Sequence, residues 1–214
     1  AQSGVLRVDT VQELFDYAMA SGNQPMPASD RMAIVTNAGG PGIMATDACV
    51  RYGMGLAKFS DETIATLKEA LPPAASVRNP VDVIGDARHE RYEAALKAVL
   101  ADEDTGGAIV ILTPQTMTDI EEVAHVVVRA ARGSFKPLLA SFMGLVDVTP
   151  GINILRKHGV PHYPFPEGAA RVMKAMLDYA RWVNRPRTQE RVFEVDRAQV
   201  QKIFRKAMDE RSEE

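Results

Sequence analysis

Two rhythms of apolar and polar positions alternate along this chain. Short aliphatic runs stand at Met32–Thr36, Val81–Ile84, Ala108–Leu112, Leu138–Ser141 and Val160–Tyr163. Each is too short for a helix and reads as a strand. Between them lie helix-type segments whose ends carry cap residues: Ser60 opens "DETIATLKEAL", Thr118 with Glu121 boxes "DIEEVAHVVVRAAR", and Thr149-Pro150 starts "GINILRKHG". Gly53, Gly133 and Gly159 stand where left-handed C-terminal caps belong. Two further helices, near Arg88–Ala101 and Glu167–Val183, complete a strand–helix alternation, and that alternation means a parallel sheet. Right-handed crossovers then place helices on both faces, in a flavodoxin-like or a Rossmann-like strand order.

Outside this repeat, Thr10-Val11-Gln12-Glu13 caps a helix that runs to about Met19, and "SGNQPMPASD" is a polar loop. Downstream, "NRPRTQERVFEVD" is a charged linker. The segment "RAQVQKIFRKAMDE" is an amphipathic helix with Val200, Ile203, Phe204 and Ala207 on one side, expected to lean on something outside the chain. The opening "AQSGVLRVDT" lacks Met and enters abruptly, as a cut fragment would.

Composition changes this picture little. With 214 residues, 46% of them hydrophobic, the chain can bury one good core and carry a short appendage. A formal charge of −3 without a basic cluster points to neither nucleic acid nor an anionic membrane as partner. No run approaches the ~20 apolar residues of a membrane span, and the start has no signal-peptide grammar. The expected setting is the cytoplasm. Cys49 is the only cysteine, which excludes an internal disulfide and a cysteine-based zinc cluster, and within an apolar helix it reads as buried filler. No metal site is expected.

In an open parallel sheet, ligands bind outside the carboxyl ends of the strands. The loops there are Asn37-Ala38-Gly39-Gly40-Pro41-Gly42, Gly85-Asp86, "TPQTMTD", "FMGLVD" and "PFPEG". The first has no Gly-Lys-Ser/Thr ending, which excludes a Walker-type loop. Gly40 to Ala45 fits the relaxed dinucleotide pattern G-x-G-x-x-A. The acid that should follow would be Asp61 or Glu62, however, and these lie in the first turn of a helix instead of ending a strand. What remains is a general property: unpaired amides and a positive dipole at a helix entrance, with glycines that let an anion approach. A tight strand-to-helix turn packed by glycine is the plain alternative. Asn79-Pro80-Val81-Asp82 either sets a carboxylate beside this site or is a turn leading into a strand. His89, His125, His158 and His162 show no metal-ligand spacing and no nucleophile partner. Met44, Met117 and Met143 read as packing residues.

In that order, "VTNAGGPGIMATDA", "NPVDVIGDA", "ILTPQTMTD" and "KPLLASFMG" resemble the NDP-forming acyl-CoA synthetases, the ADP-forming acetate–CoA ligases related to succinyl-CoA synthetase. The resemblance runs from about Gly4 to Asn184. It implies a reversible conversion of acyl-CoA, phosphate and ADP into acid, CoA and ATP through a phosphohistidine. It also implies a flavodoxin-like, doubly wound five-stranded parallel sheet with helices on both faces and helical extensions at both ends. On this resemblance, residues 1–29 are the tail of a preceding ligase domain and its linker, and residues 30–184 are the second flavodoxin-like domain. Residues 185–214 then lead toward an ATP-grasp domain.

The turn Asn37, Ala38, Gly39, Gly40, Pro41, Gly42 and Ile43 would face the phosphohistidine, with Asn79, Asp82, Thr113, Pro114 and Gln115 as neighbours. The phosphorylated histidine, found in the family in a Ser-His-Thr-Gly context, has no counterpart here, so no catalytic residue is assigned. ATP or ADP, Mg and CoA would be used by the complete enzyme and bound by other parts of it. The implied partners are the CoA-binding, first flavodoxin-like and ATP-grasp domains, in an oligomeric whole. Leu145 stands where a second glycine is common in the family. The flavodoxin-like order 2-1-3-4-5 would set Asn37–Gly42 beside Thr113–Met117. Readings from other classes are a non-catalytic anion- or protein-binding module of the same fold, and an FMN carrier. The latter is disfavoured by a turn poor in Ser and Thr and by few aromatic residues in the following loops.

Overall fold

The computed structural model describes residues 4–186 and 196–211, so most of the charged linker lies outside the described residues. Residues 1–184 and 185–214 are separate compact units.

In the first unit, strand β1 (Arg31–Thr36) lies at the centre of a parallel sheet. On one side it pairs with β4 (Gly107–Leu112), which pairs with β5 (Leu138–Phe142). On the other side it meets two short strands end to end: β2 (Gly55–Leu56) at Arg31 and Met32, and β3 (Val81–Asp82) at Val35 and Thr36. Between them the Asn79 side chain takes the place of a strand. Its Oδ1 accepts from Ile34 N (3.0 Å), and its Nδ2 donates to the carbonyls of Met32 (2.8 Å) and Ala57 (3.1 Å). An amide side chain thus serves as the missing peptide group, and β1 keeps its backbone paired along its whole length.

The expected strand at Val160–Tyr163 is reduced to a single bridge between Ala140 and His162. Ala140 N donates to Pro161 O, and Tyr163 N donates to Ala140 O, both at 2.9 Å. Pro161 has no N–H with which to extend the ladder backward, and His162 Nε2 lies 3.1 Å from Phe142 O. The strand expected at Val81–Ile84 ends at Asp82, because Ile84 turns into the left-handed region at φ 72°. With Val160–Tyr163 as the far edge, the order is flavodoxin-like.

Strands β1, β4 and β5 are buried on both faces, as an internal parallel sheet requires. Ala33, Val35, Ala108, Val110, Leu138 and Ala140 look to one layer. It is built by α3 (Asp61–Ala70), α4 (His89–Ala101), α5 (Ile120–Arg132) and α6 (Thr149–Lys157). Met32, Ile34, Ile109, Ile111 and Leu139 look to the other, built by α1 (Val11–Asn23), α2 (Gly39–Arg51) and α7 (Pro166–Val183). Cys49 is fully buried there, and desolvation pushes its thiol up to about 12.

The caps at Thr10 and Ser60 form as expected, accepting from Glu13 N and Thr63 N. The cap of α5 is Asp119, not Thr118, because the Thr118 hydroxyl is taken by Gln115 N (2.9 Å). Gly53 and Gly159 are left-handed, whereas Gly133 is not, at φ −85°. The chain turns there instead through Ser134, whose Oγ accepts from Lys136 N.

In the second unit, α8 (Arg197–Arg211) is capped by Asp196, whose Oδ1 accepts from Ala198 N and Gln199 N, and it leaves Val200, Ile203 and Phe204 exposed.

Candidate functional site

Four loops meet at the carboxyl edge of the sheet. The β1 and β4 loops are joined by the buried Asn37 side chain: Oδ1 accepts from Thr113 N and Nδ2 donates to Thr113 O, each at 2.8 Å. A methyl group placed on Gly85, in the loop after β3, would lie 3.7 Å from Gln115 Cγ and 3.9 Å from Asn37 O. One placed on Gly144, after β5, would lie 3.1 Å from Pro114 Cδ. Asn37, Asp82, Thr113, Pro114 and Gln115 are thus assembled around one turn. Asn79 is not part of this assembly, since its amide is committed to the sheet between β2 and β3.

Within the turn the residues divide by direction. Thr36 Oγ1 accepts from Ala38 N (3.0 Å) and donates to Ala38 O (2.9 Å), so the Ala38 amide is taken. Pro41 has no N–H. Gly42 N donates to Ala38 O (3.2 Å), and its α-carbon faces inward: a methyl group there would meet Thr36 Cγ2 at 2.9 Å. Gly42 is therefore a packing glycine, not a point of close approach for a ligand. The outward-facing amides are those of Gly39 and Gly40, at the start of a 13-residue helix with no side-chain cap. Both glycines are exposed, and a methyl group on Gly40 would meet nothing within 4 Å. Two amides at the positive end of a helix dipole could seat an anion with modest strength.

Asp82 tempers that seat. Its Oδ1 accepts from Ile84 N (2.9 Å), and its Oδ2 would lie 3.7 Å from a methyl group on Gly39. The Asp82 carboxylate thus stands on the Gly39 side of the turn, where its charge opposes any anion. Thr113 Oγ1 is buried without a hydrogen-bond partner. Around the edge stand exposed apolar side chains from four loops, Ile43, Met117, Leu145 and Phe165. Such a rim suits a protein surface better than a small solute. Thr36 escaped the sequence reading, and its spacing of two before Ala38 was the available signal.

The division within the turn has a measurable outcome. Gly42→Ala is expected to cost about 1–3 kcal/mol by overpacking against Thr36, while Gly40→Ala should be neutral or stabilising by up to ~1 kcal/mol. Urea unfolding of the two variants checks both.

The histidines lie elsewhere: His89 opens α4, His125 is on α5, His158 follows α6, and half-buried His162 is on the bridge at the sheet edge. Among the described residues, no group of three or more His, Cys, Asp or Glu could hold a metal ion, and no helix is long and apolar enough to cross a membrane.

Comparison with known proteins fits this arrangement. Residues 32–186 match the Ligase-CoA domain. Over 205 residues the chain is 40% identical to the ADP-forming 4-hydroxybutyrate–CoA ligase of Nitrosopumilus maritimus, covering 95% of this chain and 29% of that protein. It is 36% identical to the alpha subunit of the ADP-forming acetate–CoA ligase I of Pyrococcus furiosus, covering 85% of this chain and 39% of that subunit. Acetyl-coenzyme A synthetase 1 of Ca. Korarchaeum cryptofilum, solved with phosphate and ADP, superposes with a TM-score of 0.78 at 30% identity, over 86% of this chain and 42% of that one. The chain therefore spans well under half the length of these relatives. On the match to residues 32–186 and the identity it shares with these ligases, this chain belongs to the Ligase-CoA domain family.

Proposed function

We propose that this chain is the phosphohistidine-docking part of an ADP-forming acyl-CoA synthetase, which interconverts acyl-CoA, ADP and phosphate with acid, CoA and ATP. The observation that carries the reading is the pair of outward amides at Gly39 and Gly40, set at a helix entrance where four loops of the sheet converge. They would hold the phosphoryl group of a histidine carried by another domain, and the apolar rim of Ile43, Met117, Leu145 and Phe165 would seat that domain. Residues 1–29 serve as the tail of a preceding ligase domain, 30–184 as the docking domain, and 185–214 as the lead toward an ATP-grasp domain. The CoA-binding, first flavodoxin-like and ATP-grasp domains of the same cytoplasmic, oligomeric enzyme supply the histidine and the sites for CoA, nucleotide and Mg.

A helix entrance stabilises an anion by at most ~2 kcal/mol even when partly buried. The isolated domain should therefore bind inorganic phosphate no more tightly than about 1 mM, which already corresponds to ~4 kcal/mol.

The test is to assay the product of the whole gene and the 214-residue chain side by side. The former should make ATP from acetyl-CoA or a related thioester, ADP and phosphate. The latter should make none and should take up no label on histidine from ATP. Stable phosphorylation of His89, His125, His158 or His162 in the isolated chain would refute the reading.

A further inference from the structure

Helix α1 packs on the body through Ala20 and Tyr17, and both of its acids face the body as well. Its charged side faces inward, where Arg171 of α7 pairs with Glu13 Oε1 and Asp16 Oδ2, each at 3.3 Å. Tyr163 Oη donates to Asp16 O (3.3 Å). At the helix end, Gln24 donates to Gly159 O (3.1 Å) and accepts from Leu138 N (3.0 Å). The helix is thus clamped to the body at both ends. Its opposite side presents Val11, Leu14, Phe15 and Met19, which are 71, 53, 66 and 41% exposed. They follow the spacing of a single helix stripe, the pattern normally turned toward a core.

We propose that this stripe is the seat of a neighbouring domain of the same longer polypeptide, which covers Val11, Leu14, Phe15 and Met19 with an apolar groove of its own. The proposal rests on reading the chain as part of a longer synthetase. Three observations select this occupant. Helix α1 lies outside the matched domain 32–186, yet the match to the Nitrosopumilus ligase takes in 95% of this chain, too much to leave α1 out. That relative is more than three times as long, since this chain covers 29% of it, so there is ample further chain to supply a cover. Finally, α1 contains Glu13 and Asp16 but no Lys or Arg. It lacks the basic flank of a membrane-surface helix.

The test uses Phe15→Cys, because fully buried Cys49 stays silent to thiol reagents. Labelling by N-ethylmaleimide is timed in the 214-residue chain and in the product of the whole gene, with Leu14→Cys as a second reporter. Fast labelling in the chain, slowed at least ~100-fold in the longer polypeptide, is the expected result, since reaction then requires local opening. Equal fast labelling in both overturns the proposal. Slow labelling in the chain alone, with sedimentation as a dimer, overturns it in favour of a second copy. ATP formation measured on the same samples separates the two readings. Protection in an inactive polypeptide upholds the docking and removes the ligase assignment, and an active enzyme with a freely reactive thiol does the reverse.

Discussion

Asn79→Ala should lower the unfolding free energy by about 2 kcal/mol or more, since it orphans Ile34 N and Ala57 O while Met32 O keeps its bond from Ala57 N. The residue closes the gap between β2 and β3 by bonding Ile34 N, Met32 O and Ala57 O, and all three partner residues are buried. Leaving a buried peptide group unpaired costs about 1–3 kcal/mol. Asn79→Asp is the more telling variant. The new carboxylate can still accept from Ile34 N, but it faces two carbonyl oxygens to which it cannot donate, so its folded-state pKa lies above its unfolded one. For an acid shifted upward the penalty is full above the folded pKa and vanishes below the unfolded value near 4. Stability of this variant should therefore recover as pH falls toward about 4. Urea midpoints across that range check the sign, and a variant as stable as the parent at neutral pH would show that the side chain is not the sheet's missing link.

The largest effect on activity is expected from Gly40→Val in the whole enzyme. A Cβ placed on Gly40 has no neighbouring segment within 4 Å, so the fold should survive, and valine forms helix at least as well as glycine. The new branch would stand over one of the two outward amides. Hindering approach to one donor of a developing phosphoryl charge should slow transfer by about 10- to 100-fold. The effect exceeds what the amides achieve on free phosphate, because a phosphoryl group already bonded to histidine has little entropy left to lose.

The sheet was legible because β1, β4 and β5 are continuous apolar runs bounded by turn residues, and their order followed from the family resemblance. Strand β2 was not legible: a two-residue strand containing Gly55 has no periodicity to read. Val160–Tyr163 looked like a strand by composition, but Pro161 denies it the donor that a ladder needs. Thr118 and Asp119 are both good caps, and only the competing bond from Gln115 N decided between them. The candidate site was placed by the rule for carboxyl edges, and the hydrogen bonds of its turn were not legible in the sequence. Within the turn Pro41 has no N–H, Ala38 N is taken by the Thr36 hydroxyl and Gly42 N by Ala38 O, which leaves Gly39 and Gly40 as the glycines that open the helix toward solvent. Asn79 was placed beside the site because its neighbour Asp82 is there; that an amide side chain can stand in for a strand is a tertiary fact that no local pattern carries. The inward charges of α1 were hidden in the same way, since Glu13 read only as half of a capping box.

If Gly39 and Gly40 hold a phosphoryl group carried by histidine, rapid-quench measurement of phosphohistidine formation will register their loss. The product of the whole gene, with and without Gly40→Val, is mixed with γ-labelled ATP, and base-stable, acid-labile label is followed through a single turnover while CoA binding is measured separately by calorimetry. The expected result is a phosphorylation rate reduced by about 10- to 100-fold with CoA affinity unchanged. A folded variant that phosphorylates its histidine at the parent rate would contradict it and leave the turn as a packing device.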